Sequence, residues 1–263
     1  MSLLDGKRLI ISGVLTDDSI AYAVAETAMH EGAEVLLTNA PGRPSSIMGR
    51  IAKRLPAEPV ALVPADLTDD GGVQAIHDAA AERWNAVDGV LHAVAYAPEA
   101  ALGGNFLHTE WDDVATAVKV SAFSLKTLSA GLRPLMEKAD NGASVVSLDF
   151  DASVAWPVYD WMGVAKAGLE SITRYLARDL GPAGIRVNTV SAGPIRTMAG
   201  KSIPGFDRLA DAWGSRAPLG WDVRDAGPVA GTVAYLFSDL SRGVTGSVLH
   251  VDGGYHAMGA DKR

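Results

Sequence analysis

Tyr159 and Lys166 stand seven positions apart in the stretch Tyr159-Asp160-Trp161-Met162-Gly163-Val164-Ala165-Lys166. Apolar residues at Met162, Ala165, Leu169 and Ile172 follow the helical period, so the pattern predicts a helix from about Tyr159 to Asp179. Seven positions make close to two turns, which puts the phenol and the ammonium on one face, about 10 Å apart along the axis. A helical lysine leans toward the N-terminus, which narrows the gap. Held against one ligand, the two groups would supply a proton donor and a fixed cation. The same spacing also suits a surface tyrosine and a lysine lying along its own helix, so spacing alone leaves both readings open.

The elements that must position this pair alternate along the chain. Lys7 to Ser12 reads as a strand whose apolar run suits burial on both faces of a parallel sheet. It enters the turn Gly13-Val14-Leu15-Thr16-Asp17-Asp18-Ser19, then a helix with Ile20, Val24, Ala25 and Ala28 on its apolar side. Strand, turn and helix form the first half of a nucleotide-binding unit. Gly13 lets the backbone pass close to a pyrophosphate, and Ser19 can cap the helix end that faces it. With a single glycine, the turn fits an ordinary strand-to-helix connection equally well. Glu34 to Thr38 is the second strand, followed by Asn39-Ala40-Pro41-Gly42-Arg43. No acid there favours NAD, and Arg43 alone is a base that could favour NADP. Val60 to Val63 is the third strand, leading through Ala65-Asp66-Leu67-Thr68 into a helix to about Trp84. Asp66 suits an adenine amino group or the ordering of this turn, with Thr68 as the expected N-cap. Val87 to Ala95 is the fourth strand, with small residues Ala93, Ala95 and Ala97 at its exit where a flat cofactor could approach.

A helical region from about Thr109 to Met136 precedes the fifth strand, Ala143 to Phe150, and the Tyr159 helix follows. Ile185 to Ser191 is the sixth strand; its exit, Ala192-Gly193-Pro194-Ile195-Arg196-Thr197, offers backbone groups at Ile195 and a hydroxyl at Thr197 for a nicotinamide carboxamide and a phosphate. Met198 to Trp221, broken by Gly200, Pro204, Gly205 and Gly214, is expected to be irregular and to act as a lid or binding segment. A helix from Pro228 to Ser238 and a strand from Gly246 to Val251 complete the pattern. The alternation implies one α/β domain over residues 1–263, a Rossmann-like doubly wound parallel sheet of about seven strands with helices on both faces, with the lid at about 198–221.

Composition narrows the function classes. The chain has no cysteine, which excludes disulfides, thiolate catalysis and cysteine-bound zinc. A net charge of −8 argues against a general nucleic-acid or anionic-membrane surface. The six histidines show no metal-site spacing, no metal is expected, and His92 reads as a core histidine. The run Leu9-Ile10-Ile11 is too short to span a bilayer, and the opening residues lack a signal-peptide layout, so a cytoplasmic location is expected.

Together these residues resemble the short-chain dehydrogenase/reductase superfamily and, more closely, the enoyl-acyl-carrier-protein reductases of the FabI/InhA type. The marks are Gly13 with Ser19-Ile20-Ala21, Tyr159 with Lys166, Ala192 to Thr197, Ala65-Asp66-Leu67, His92 to Pro98, and the ending Thr245-Gly246 to Asp252-Gly253-Gly254. Ketone- and alcohol-active relatives place the tyrosine one turn before the lysine and a serine further upstream. Aligned on Lys166, those places hold Met162 and Asp149, whereas Tyr159 matches the enoyl reductase tyrosine. The resemblance implies NADH-dependent reduction of the trans-2 double bond of enoyl-acyl-carrier-protein or enoyl-CoA thioesters in fatty acid elongation. Tyr159 and Lys166 would be catalytic. Gly13, Val14, Ser19, Ile20, Asp66, Leu67, Val94, Ala95, Lys166, Ile195 and Thr197 would hold the cofactor, NADH, with NADPH left open. Ala97, Phe150, Tyr159 and Met162 would line the substrate site.

The resemblance also implies acyl-carrier protein as partner and a homotetramer, with no nucleic-acid or membrane partner. Lys201, Arg208 and Arg216 near the lid would form a basic docking rim. Departures from the family pattern are Ala93 and Ala95, which should tighten the nicotinamide site, and Ala40, which lacks an aromatic near the adenine. The lid length suggests medium acyl chains. Two other readings compete: an NAD(P)-dependent short-chain reductase of a carbonyl or another conjugated alkene in secondary metabolism, and a cofactor-binding protein without turnover.

Overall fold

The structure, a computed structural model, describes residues 2–42, 45–201 and 203–260. Arg43, the one candidate base for NADP, lies outside the described residues. All seven strands are parallel, in the order β3-β2-β1-β4-β5-β6-β7. They are β1 (Arg8–Ser12), β2 (Glu34–Asn39), β3 (Ala61–Pro64), β4 (Gly89–His92), β5 (Ala143–Asp149), β6 (Ile185–Ala192) and β7 (Val248–Val251). The sequence order reverses between β1 and β4, and in open parallel sheets ligands bind in the crevice beyond the strand ends at such a point.

The helices are α1 (Ile20–His30), α2 (Ser45–Ala52), α3 (Asp70–Ala81), α4 (Trp111–Val118), α5 (Ser124–Met136), α6 (Asp160–Leu180), α7 (Met198–Lys201), α8 (Phe206–Arg216) and α9 (Gly227–Phe237). Two cores flank the sheet, as the apolar central strands require. On one face α1 and α9 bury Val24, Ala25, Val229 and Val233 against Leu9, Ile11 and Leu37. On the other, α3, α5 and α6 bury Ile76, Leu128 and Leu169 against Ile10, Leu36 and Val145. Each such valine, leucine or isoleucine side chain contributes about 1.5–3 kcal/mol by leaving water.

Two expectations are corrected and a third is refined. The N-cap of α3 is Asp69, whose carboxylate accepts the Gly72 N–H; Thr68 instead donates its own N–H to Asp66 Oδ1 at 2.8 Å. The helical region expected from about Thr109 to Met136 is present as α4 and α5, joined without a break by a π-turn at Lys119–Phe123. The segment 198–221 is not irregular: it carries α7 and α8, whose buried Phe206, Leu209 and Trp213 recur at helical spacing.

Candidate active site

Residues at the exits of β1 and β4 are drawn together by hydroxyl clamps. Ser12 Oγ donates to Leu91 O at 2.7 Å and accepts the Ala93 N–H at 3.1 Å. Ser121, in the π-turn, donates to Tyr96 O at 2.8 Å and accepts the Tyr96 N–H at 2.9 Å, which fixes the loop after β4. Gly13 is in the left-handed region with φ +86°, and a Cβ there would sit 2.1 Å from Ala93 O, so only glycine lets the two exits approach this closely. Ser19 caps α1 as expected, accepting the Tyr22 N–H at 3.2 Å while donating to Thr16 O.

Beyond these exits lies a small cleft whose walls include Ser12, Thr38, Asn39, Asp66, Leu67 and Val94. Thr38 Oγ1 and Asn39 Oδ1 are buried and have no hydrogen-bond partner. Unpaired polar atoms in such a place are costly unless a ligand satisfies them. Orphaned polar atoms together with a glycine-only approach fit the adenosine end of a dinucleotide. Of the expected cofactor residues, Asp66, Leu67 and Val94 line this cleft. Val14 is buried behind the turn, Ile20 begins α1, and Ala95 is exposed after β4. After β6, Ile195 is buried and the Thr197 hydroxyl accepts the Gly200 N–H at 2.9 Å, opening α7.

Tyr159 and Lys166 are both buried, 4% and 5% exposed, on the face of α6 that also carries Met162, Ala165 and Leu169. The lysine reaches the end of β5, where Nζ donates to Leu148 O at 2.8 Å. The phenol ring meets Phe150 edge-on with centroids 5.1 Å apart. Tyr159, Met162, Leu102 and Ala165 form one apolar cluster, with Ala97, Phe150, Trp156 and Ile203 packed against it. All four expected substrate residues therefore meet at one place.

The backbone holding Tyr159 is strained. Val158 and Asp160 have φ of +63° and +42°, unusual for non-glycine residues. The loop after β4 holds them: Gly103 N–H donates to Val158 O at 2.9 Å, and the Asp160 carboxylate accepts the N–H groups of Gly104 and Asn105.

Burial pushes the Tyr159 phenol well above its ordinary range, so it stays protonated and acts as a donor. Burial draws the Lys166 ammonium down, opposed by Asp149. His92 is neutral: burial and then Lys166 lower it to about 3, and its Nε2 lies 2.7 Å from Ser124 Oγ.

Asp149 is the group the sequence did not mark as functional. It is 6% exposed, neither carboxyl oxygen has a hydrogen-bond partner, and burial raises it to about 8. Ser12, Ser121, Val158 and Asp160 were also missed. Each acts through partners distant in sequence, so no local pattern announces them.

Arg216 does not point outward as a docking cation. Its guanidinium lies over the Tyr255 ring at 4.4 Å and donates to Tyr255 Oη and Met258 O. The histidine spacing offered no metal set, yet the fold brings His250, Asp252 and His256 within 4.8 Å on the wall of a separate open cavity of about 800 Å³. Asp252 already accepts the N–H groups of Gly254 and His256, with His256 Nδ1 3.0 Å from both oxygens, so this grouping locks the turn after β7.

A family model described as "Enoyl-(Acyl carrier protein) reductase" matches residues 13–256. The chain belongs to the enoyl-acyl-carrier-protein reductase family. It is 38% identical to the enoyl-[acyl-carrier-protein] reductase [NADH] of Mycolicibacterium smegmatis, covering 96% of this chain and 97% of that one. It is 37% identical to the FabI enzyme of the same description from Synechocystis sp., over 97% and 98% of the two chains, and 36% identical to that of Bacillus subtilis, over 96% and 97%. For a member of this reductase family, the position of Asp149 behind the Tyr159 helix and the aromatic contact of Phe150 describe how the shared fold is furnished in this chain.

Proposed function

We propose that the chain reduces the trans-2 double bond of enoyl thioesters on acyl-carrier protein or coenzyme A, with NADH as reductant, in fatty acid elongation. The observation that carries this reading is the buried, protonated Tyr159 phenol, packed against Phe150 and Met162 on the helix face it shares with Lys166. The named activity of relatives 36–38% identical over nearly the whole chain supports it.

When bound, NADH supplies the hydride. Gly13, Val14, Ser19 and Ile20 would hold its pyrophosphate at the N-terminus of α1, Asp66, Leu67 and Val94 its adenine side, and Ala95, Ile195 and Thr197 its nicotinamide end. Lys166 holds the nicotinamide ribose hydroxyls. Tyr159 donates a hydrogen bond to the thioester oxygen, where negative charge collects; one such preorganised donor is worth roughly 3 kcal/mol. Phe150, Met162 and Ala97 form the apolar wall for the acyl chain and exclude water from the reacting carbons.

The segment 198–221 is the substrate lid, in which Ile203 closes over the Tyr159 cluster. With Arg216 turned inward, Lys201 and Arg208 carry the basic rim for the acidic carrier protein. Leu107 and Trp111, 88% and 73% exposed, are apolar surface that a homotetramer would cover. No helix among the described residues is long and apolar enough to cross a membrane, and a cytoplasmic site of action accords with this reading. The test is NADH consumption with crotonyl thioester beside a β-ketoacyl thioester. Turnover of the enoyl substrate alone is expected; turnover of the ketone alone refutes the reading.

A further inference from the structure

Three adjacent residues at the end of β5 divide the work around the catalytic pair. Leu148 gives its carbonyl to Lys166 Nζ, and Phe150 gives its ring to Tyr159. Asp149, between them, sends its side chain to the α6 face of the sheet. The strand alternation shows this, because Ser147 Oγ, two positions earlier, lies 2.7 Å from Thr189 Oγ1, itself 2.7 Å from Thr173 Oγ1 on α6. α6 runs back along the strand, so the two further residues of β5 place Asp149 about one helical turn before Thr173, between Glu170 and Lys166.

The carboxyl is buried there with neither oxygen in a well-formed hydrogen bond; the polar groups that approach it are the Phe150 N–H and the Glu170 side chain. An ionised carboxylate in that position is costly, because so little replaces its lost water. Lys166, the cation that faces it among the described residues, spends a hydrogen bond on Leu148 O instead of on the carboxyl. The other titratable groups around it are Glu170 on the same helix, which opposes ionisation, the Tyr159 phenol, and neutral His92 on the β4 side of Lys166.

We propose that Asp149 is a positioning residue for the reduction, a neutral carboxylic acid behind the catalytic pair that leaves Lys166 Nζ free to turn to the cofactor ribose. When Asp149 loses its proton to solvent, the new carboxylate attracts the ammonium and draws Nζ from the ribose, and cofactor binding weakens. Burial sets this transition near pH 8, so the effect belongs to the alkaline side of neutrality. This proposal rests on the reading of Lys166 as the ribose ligand given above.

The experiment follows KM for NADH against pH in the parent and in Asp149→Asn, whose side chain stays neutral. From pH 6.5 to pH 9 the parent KM rises by roughly tenfold, one decade for one pH unit beyond the midpoint, and that of the variant by less than twofold. A purely structural role lowers kcat and Tm alike at every pH and leaves the KM ratio untouched; that result overturns the proposal. If Asp149→Asn fails to fold, infrared difference spectroscopy of the parent between pH 6.5 and pH 9 decides. A carboxylic acid C=O band that disappears on alkalinisation supports the proposal, and its absence at pH 6.5 overturns it. A parent that binds NADH yet turns over no enoyl thioester at any pH strikes the proposed function instead, and the infrared band still settles Asp149.

Discussion

Replacing Gly13 with alanine tests the closest approach in the cofactor site. Two costs separate cleanly. At φ +86° a Cβ meets the left-handed penalty of roughly 1–2 kcal/mol. The same Cβ would stand 2.1 Å from Ala93 O and 2.8 Å from Ala93 C, both backbone atoms, so β1 and β4 must part at their exits. Forced overpacking of this kind costs about 1–3 kcal/mol. The sum, about 2–5 kcal/mol, is a large share of the roughly 5–15 kcal/mol that holds a domain folded. Parting the exits also stretches the Ser12 hydroxyl between Leu91 O and the Ala93 N–H, so the cofactor site suffers with the fold. The control is Gly6→Ala, at φ +71° with nothing within 4 Å of the added atom, which keeps the conformational cost and drops the collision. Urea unfolding followed by circular dichroism, with NADH affinity from fluorescence, should show Gly13→Ala well below Gly6→Ala in midpoint and weakened more than tenfold in binding. Equal midpoints for the two variants, with affinity retained in both, refute the close-approach argument.

Other substitutions probe the remaining parts. Tyr159→Phe should lower kcat by about a hundredfold, the equivalent of one lost transition-state donor, with NADH affinity kept in a binding titration. Lys166→Ala should weaken NADH binding, and unchanged affinity contradicts its assignment to the ribose. Ser19→Ala removes the α1 cap and should cost about 1 kcal/mol in urea unfolding. Asp149 is raised in the fold from 3.8 to about 8, so the folded chain binds the extra proton and this group's contribution falls as pH rises through that window. The stability of Asp149→Asn relative to the parent should therefore grow between pH 4 and pH 8 in denaturant titrations; a constant difference counts against the burial argument.

Much of this arrangement is legible before any coordinates. The strand and helix alternation gives the doubly wound sheet, and the period through Met162, Ala165 and Leu169 gives the buried face of α6 that carries Lys166; Tyr159 caps that helix and joins Met162 and Ala165 in one apolar cluster. The Ser19 cap is equally local. Other features depend on partners far along the chain. Thr68 and Asp69 are both good cap residues one step apart, and only the turn that Asp66 makes with the Thr68 N–H hands the cap to Asp69. Glycines and prolines from Gly200 to Gly214 mask α8, which forms because Phe206, Leu209 and Trp213 find a buried surface. Arg216 is a rim cation by composition, but the Tyr255 ring takes it inward. Asp149 looks like any acid at a strand end until the fold shows it buried, with neither oxygen in a well-formed hydrogen bond.

The aromatic side chains around α8 give the molecule a built-in optical gauge. Trp213 of α8 stacks on Tyr255 at 3.8 Å and lies 5.0 Å from Trp156, which itself stands 5.4 Å from Phe150. Two indoles so close share their excited states, and the sign and size of the resulting exciton signal in the near ultraviolet depend on their mutual angle, here 36°. A swing of α8 away from the body would change that angle, so any such movement would be read with the unlabelled chain by light alone.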